Sequence, residues 1–167
     1  FQVSRFVAVY HSQVPESVGP IRSVRPMDWT ILKPLNPLLA FSGGQPGIVA
    51  LTKDAGIQLL SNDAGVKGMA RSSARPAPHN VYGDMAVFWG LADANHQNSP
   101  AEQFGFARTA EEATAVTSGT AASTLSFRLS AASNPTWTWD AASGTWLRSE
   151  GSTPAMAASG ERLSAVN

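Results

Sequence analysis

From Leu125 onward, apolar and polar residues alternate: Leu125-Ser126-Phe127-Arg128-Leu129, then Thr136-Trp137-Thr138-Trp139, then Thr145-Trp146-Leu147-Arg148. A period of two places every second side chain on one face, as a β-strand does. Turn residues separate the segments: Asn134-Pro135, then Asp140-Ala141-Ala142-Ser143-Gly144. The pattern predicts a three-stranded antiparallel meander. On it Trp137 and Trp139 share a face and pack across the hairpin against Trp146. A sugar-stacking platform is the other use such tryptophans have, and sheet packing is the simpler reading.

The rest of the chain is cut into short pieces by proline and glycine. Residues 3–11 are β-branched and aromatic on both faces and predict a central strand, with Arg5 paired at the core edge. Residues 12–20 read as a loop. A short helix is predicted over Met27–Lys33, stopped by Pro34 and Pro37. Leu38–Phe41, Ser42-Gly43-Gly44-Gln45-Pro46-Gly47 and Ile48–Lys53 read as strand, glycine turn and helix, with Gly56 as its C-cap. Ile57–Leu60 predicts another short strand. Residues 61–80 read as irregular, Asp84–Ala92 as a helix and 93–103 as a loop. Phe104–Phe106 is expected to touch the core briefly. Residues 108–123 are low in complexity, a linker or an edge strand. The expected organisation is a main α+β domain over 1–107, that linker over 108–123, and a meander region over 124–167 packing on the main domain.

Composition excludes several function classes. Twelve basic residues balance twelve acidic ones, for a net charge of +0. That gives neither the basic footprint of a nucleic-acid binder nor a polybasic membrane-surface segment. No cysteine is present, so disulfides, zinc-thiolate sites and cysteine nucleophiles are excluded. No apolar run is long enough to predict a membrane-spanning helix. The 26 Ala, 19 Ser and 11 Thr, beside few Lys and Glu, suit the surface of an exported protein. The chain opens on Phe1-Gln2-Val3 with no leader in view, as a trimmed chain would.

Against that charge-poor background two arginine clusters stand out, Arg22-Ser-Val-Arg25-Pro26 and Arg71-Ser-Ser-Ala-Arg75-Pro76. They hold four of the nine arginines. A guanidinium grips a carboxylate or phosphate through two parallel hydrogen bonds. If the clusters converge, they make an anion-binding pocket; otherwise each arginine pairs with an aspartate such as Asp28 or Asp84 and pins a loop. Ser42-Gly43-Gly44, between a strand and a helix, is a tight turn or an anion cradle. It lacks the Gly-Lys-Ser/Thr ending of a P-loop. His79 in Pro78-His79-Asn80 is the candidate acid–base residue, with Asp28 to orient it. Ser42 completes a Ser/His/Asp set in residue type only, since no G-x-S-x-G elbow is present. His11, His79 and His96 show no metal-ligand spacing, so neither a metal nor a cofactor is expected. His96 reads as a solvated loop residue.

These stretches resemble the YerB-like lipoproteins, a bacterial family of unknown biochemical function. RFVAVYHS (5–12), VGPIRSVRPMD (18–28), FSGGQPG (41–47) and RSSARPAPHNVY (71–82) carry the resemblance. WTWDAASGTWLRSEGSTP (137–154) resembles the family's smaller second region. The resemblance implies an α+β fold of layered sheets with helices on one side. It implies a pocket built by Arg22, Arg25, Asp28, Gly43, Gly44, His79 and Asn80. It also implies export, with a lipid anchor outside this chain holding it at the outer face of the cytoplasmic membrane. The family often carries a histidine just before its double glycine and an aromatic after its Arg-Pro. Phe41-Ser42 and Met27 stand there instead, which disfavours catalysis that needs a second histidine.

The leading expectation is a non-catalytic envelope module that binds an anionic wall polymer or an envelope protein through Arg22, Arg25, Asp28, Ser42, Gly43, Gly44, Arg71, Arg75, His79 and Asn80. The alternatives are a hydrolase of an envelope polymer, with His79 as base, and a structural scaffold.

Overall fold

A computed structural model describes residues 5–165. They form two compact units, residues 9–105 and residues 5–8 with 106–165. The fold is α+β.

In the first unit, α1 (Asp28–Leu32) runs into a 3-10 turn at Lys33–Leu35, where Pro34 fits because early helical positions need no N–H donor. Then come β1 (Leu38–Phe41), α2 (Pro46–Asp54) and β2 (Gln58–Ser61). β1 and β2 pair in parallel, Leu38 opposite Gln58 through Phe41 opposite Ser61. Parallel neighbours need a crossover, and α2 supplies it. The helix starts on Pro46, pre-set in φ for a first turn. It ends at Gly56, whose φ of 88° is the left-handed cap conformation. β3 (Met69–Arg71) and β4 (Val81–Gly83) form an antiparallel pair. α3 (Met85–Gly90) follows, and the Asp84 carboxylate caps it by accepting from the amides of Ala86 and Val87 at 2.9 and 3.3 Å. Leu60, Met85 and Phe88 form the centre of the core, with Val18, Ile21, Leu38 and Met69 packed against them.

In the second unit, α4 (Thr114–Thr117) is a single turn. β5 (Thr124–Ser126), β6 (Pro135–Asp140), β7 (Thr145–Glu150) and β8 (Thr153–Pro154) form an antiparallel sheet in that order, and β9 (Ser164–Ala165) also pairs with β7. The alternation at Leu125–Arg148 thus yields the expected meander. Trp139 stands opposite Trp146, with ring centroids 5.5 Å apart. Trp137 stands opposite Arg148 on β7 and Leu125 on β5, one diagonal step from Trp146.

Several local expectations are corrected. Residues 5–10 form no strand, and Phe6 is 73% exposed. A strand needs a ladder partner, and none pairs with them among the described residues; Val3 lies outside those residues. The stretch 61–80 is not structureless, because β3 pairs with β4 about ten residues on. A three-residue strand carries too little alternation to be read from sequence. Phe104 and Phe106 do not touch the core: they are 74% and 84% exposed. Residues 108–123 hold no edge strand; 114–117 among them form one helical turn, with Thr117 bonded back to the Ala113 carbonyl.

Candidate functional site

Residues 18–24 run as an extended seam between the two small sheets. Val18 and Gly83 exchange both backbone hydrogen bonds at 2.9 Å, and Ile21 N–H donates to the Val81 carbonyl at 2.7 Å. Those bonds lay the seam along β4. On its other side, Ser42 N–H donates to the Arg22 carbonyl and Val24 N–H to the Gly43 carbonyl, both at 3.0 Å. The seam therefore also continues from the end of β1. Gly43 has φ 89°, and a Cβ there would lie 3.0 Å from Ser23 Oγ. A Cβ on Gly44 would lie 2.6 Å from Val24 and 2.9 Å from Val49. The double glycine is thus what lets the start of α2 approach the seam.

Arg22 projects from the middle of this seam. Its Nη1 lies 2.8 Å from Nδ1 and 3.1 Å from Nε2 of His79. A guanidinium only donates, so the imidazole is the acceptor. His79 belongs to the exposed connection between β3 and β4, and its own N–H is bonded to the Pro76 carbonyl at 3.0 Å. Ser72 N–H donates to the Asn80 carbonyl at 2.7 Å, which closes that connection. Across the closure Arg71 Nη1 donates to Asn80 Oδ1 at 2.9 Å. Arg22 is thus joined to His79 and Arg71 to Asn80, two successive residues of one connection. Arg25 is half-buried at the seam's end, and Arg75 is exposed on the connection.

The two aspartates named as arginine partners have other roles. Asp28 Oδ2 accepts from the Arg25 backbone N–H at 2.7 Å, closing the turn that opens α1. Asp84 caps α3. Among the described residues, no hydrogen bond joins Asp28 to His79, and neither Arg22 nor Arg71 pairs with a carboxylate. Ser42 enters the site through its backbone N–H.

One histidine is misread from sequence. His96 is largely covered rather than free in solvent: its side chain is 7% exposed. Nδ1 lies 2.7 Å from Asp93 Oδ1 and Nε2 lies 2.9 Å from the Gly56 carbonyl oxygen. Desolvation opposes its charge, but the bonds to Asp93 and Gly56 outweigh it, so its pKa stands above the ordinary histidine value. The Asp93 carboxyl, bonded to His96, stands below the ordinary aspartate value. The spacing Asp93-x-x-His96 was the available signal. In the second unit, Arg5, Phe6, Phe127, Leu129, Trp137 and Arg148 line a shallow groove, where Arg148 sits 5.1 Å over the Phe6 ring. No group of three metal-ligating side chains occurs among the described residues. None of their helices is long and apolar enough to cross a membrane.

Residues 1–100 match the family described as "Protein of unknown function (DUF3048) N-terminal domain". The chain belongs to that family. Every residue of the seam lies in the part that matches DUF3048, and the meander lies beyond it. Over 82 residues the chain is 29% identical to "Putative lipoprotein YerB" of Bacillus subtilis (strain 168); the stretch is 48% of this chain and 25% of that protein. A crystal structure of the YerB protein from Bacillus subtilis shares the fold, with a TM-score of 0.71 at 18% identity. That match covers 98% of this chain and 55% of the solved one, so this DUF3048 chain spans about half the length of the structure it matches. The resemblance carried by the arginine and glycine motifs is therefore a true family relationship.

Proposed function

We propose that this chain is part of an extracytoplasmic, lipid-anchored envelope protein whose arginine-bearing seam binds an anionic cell-wall polymer. One observation carries the reading. Arg22 and Arg71 come from separate elements and donate to the side chains of His79 and Asn80 rather than to carboxylates. Among the described residues, no carboxylate pairs with either guanidinium. Each guanidinium has five N–H donors in a planar fork, suited to a phosphate or carboxylate. The name of the Bacillus subtilis relative, a lipoprotein, supports the envelope location. Catalysis by His79 has less support, because Asp28 is committed to the Arg25 amide.

The test is retention on purified cell-wall sacculi, with and without their anionic polymers, at low and high salt. An Arg22→Ala/Arg71→Ala variant with unchanged melting temperature runs beside the parent. Retention that needs the polymer, weakens with salt and is lost in the variant supports the reading. Equal retention of parent and variant overturns it. Loss that tracks a fall in melting temperature would make the two arginines loop pins of a scaffold.

A further inference from the structure

We propose that His96 is a pH-sensitive clamp that holds the 91–97 loop against the end of α2 and the start of β2 when protonated, and releases it when it loses a proton.

The geometry sets this up through two acceptors. Asp93 Oδ1 faces one ring nitrogen at 2.7 Å and the Gly56 carbonyl oxygen faces the other at 2.9 Å. An ionised carboxylate and a carbonyl oxygen only accept. Only the imidazolium carries a proton on both nitrogens, so only the charged ring satisfies both contacts. The neutral ring must turn a lone pair toward one of these oxygens. With the side chain 7% exposed, water reaches the ring only from the cleft that it lines, which leaves that contact poorly satisfied.

The clamp joins two parts of the chain. Gly56 follows α2, and next to it Ile57 is buried. On the loop side, Asn95 N–H donates to Asp93 Oδ1 at 2.9 Å, so the carboxylate that faces His96 also shapes the loop. Gln58 of β2 donates to the Leu91 carbonyl at 2.7 Å and accepts from Asp93 N–H at 2.9 Å. Asn36 donates to the Asn95 carbonyl at 2.7 Å. His96 is the member of this network that changes charge near neutral pH. It also lines an open cleft with Lys53, Gln58, Leu59 and Asp93.

The charges around the ring favour the clamped state. Lys53, from the last turn of α2, is the other cation on the same cleft. Asp93 favours the imidazolium from hydrogen-bond distance. Ile57, Gln58 and Leu59 from the β2 side and Asn36 carry no charge. The raised pKa of His96 agrees with that balance. Because the pKa is higher in the folded state, the clamp's contribution is complete below the ordinary histidine value. It disappears as pH rises through the folded-state value.

An NMR titration of the whole chain tests this directly. The His96 ring should be doubly protonated at mildly acidic pH and should titrate above the ordinary histidine value. Over the same range, protection of the Asn95 and His96 amides against exchange, corrected for intrinsic rate, should fall. The fall should be roughly tenfold for each unit by which the pKa is raised. Asp93→Asn should lower the His96 pKa and flatten the protection profile. A His96 that titrates at or below the ordinary value in the parent overturns the proposal. So does loop protection that stays constant across the titration. Both readouts come from the parent protein and stand even if the variant folds poorly.

Discussion

Gly44 faces Val24 so closely that a β-carbon there would lie 2.6 Å from Val24 Cγ1. Val24 is 3% exposed and held by the hydrogen bond from its N–H to the Gly43 carbonyl, and Val49 crowds the same point from α2 at 2.9 Å. Both neighbours are β-branched, with little rotamer freedom to yield. Gly44→Ala should therefore destabilise the chain by about 1–3 kcal/mol, the usual cost of overpacking. Urea unfolding should show an earlier midpoint at unchanged slope, whereas Gly47→Ala, which meets nothing within 4 Å, should be much milder.

Asp84 offers a contrast between capping and charge pairing. Its carboxylate accepts from Ala86 and Val87 at the start of a six-residue helix that buries Met85 and Phe88. Asp84→Ala should cost about 0.5–2 kcal/mol, the range for losing an N-cap. Asp84→Asn keeps an acceptor in the same place and should retain most of the stability. If instead the aspartate acted as an arginine's counter-ion, both variants would lose it equally. Thermal unfolding of the two side by side separates these outcomes.

What could be read from the sequence depended on how far each signal reached along the chain. The strand–turn–helix over 38–56 was legible because Pro46, the double glycine and Gly56 mark its boundaries locally. The meander was legible because three short alternating segments recur between local turn signals over residues 125–148. The course of Arg22 was not, since it depends on the bonds of Ile21 to Val81, of Val24 to Gly43 and of Ser42 to the Arg22 carbonyl, whose partners lie far along the chain. The two arginine clusters were visible as composition, and their partners were not. Asp28 and Asp84 look like counter-ions in sequence, yet each meets the more local demand of an unpaired backbone amide. His96 was misread for the same reason: Gly56, its second partner, is 40 residues away.

The β6–β7 hairpin should lose one of its turn contacts in acid. Asp140 accepts from Ser143 Oγ at 2.6 Å and from Ser143 N–H at 3.2 Å. The Ser143 hydroxyl is the main cause that holds the Asp140 pKa below the ordinary aspartate value. A carboxyl whose pKa is depressed by folding stabilises above its unfolded pKa, and that stabilisation goes as pH falls through the folded one. A carbon-13 titration of the Asp140 carboxyl should show the low value. Ser143→Ala should move it up toward ordinary aspartate. An unchanged titration in Ser143→Ala would show that the hydroxyl does not hold the carboxylate.

Trp139 and Trp146 should prove coupled, and Trp137 should share less in that coupling. The first two stand directly opposite across β6 and β7, with ring planes tilted by 59° and centroids 5.5 Å apart. Tilted pairs at that separation add about 0.5–1.5 kcal/mol beyond the area they bury. A double-mutant cycle on Trp139→Ala and Trp146→Ala should recover a coupling of that size. Trp137→Ala combined with Trp146→Ala should show a smaller coupling, because the residues directly opposite Trp137 are Arg148 and Leu125. Equal coupling in both cycles would mean that the three tryptophans act as one cluster, as an undivided aromatic platform would.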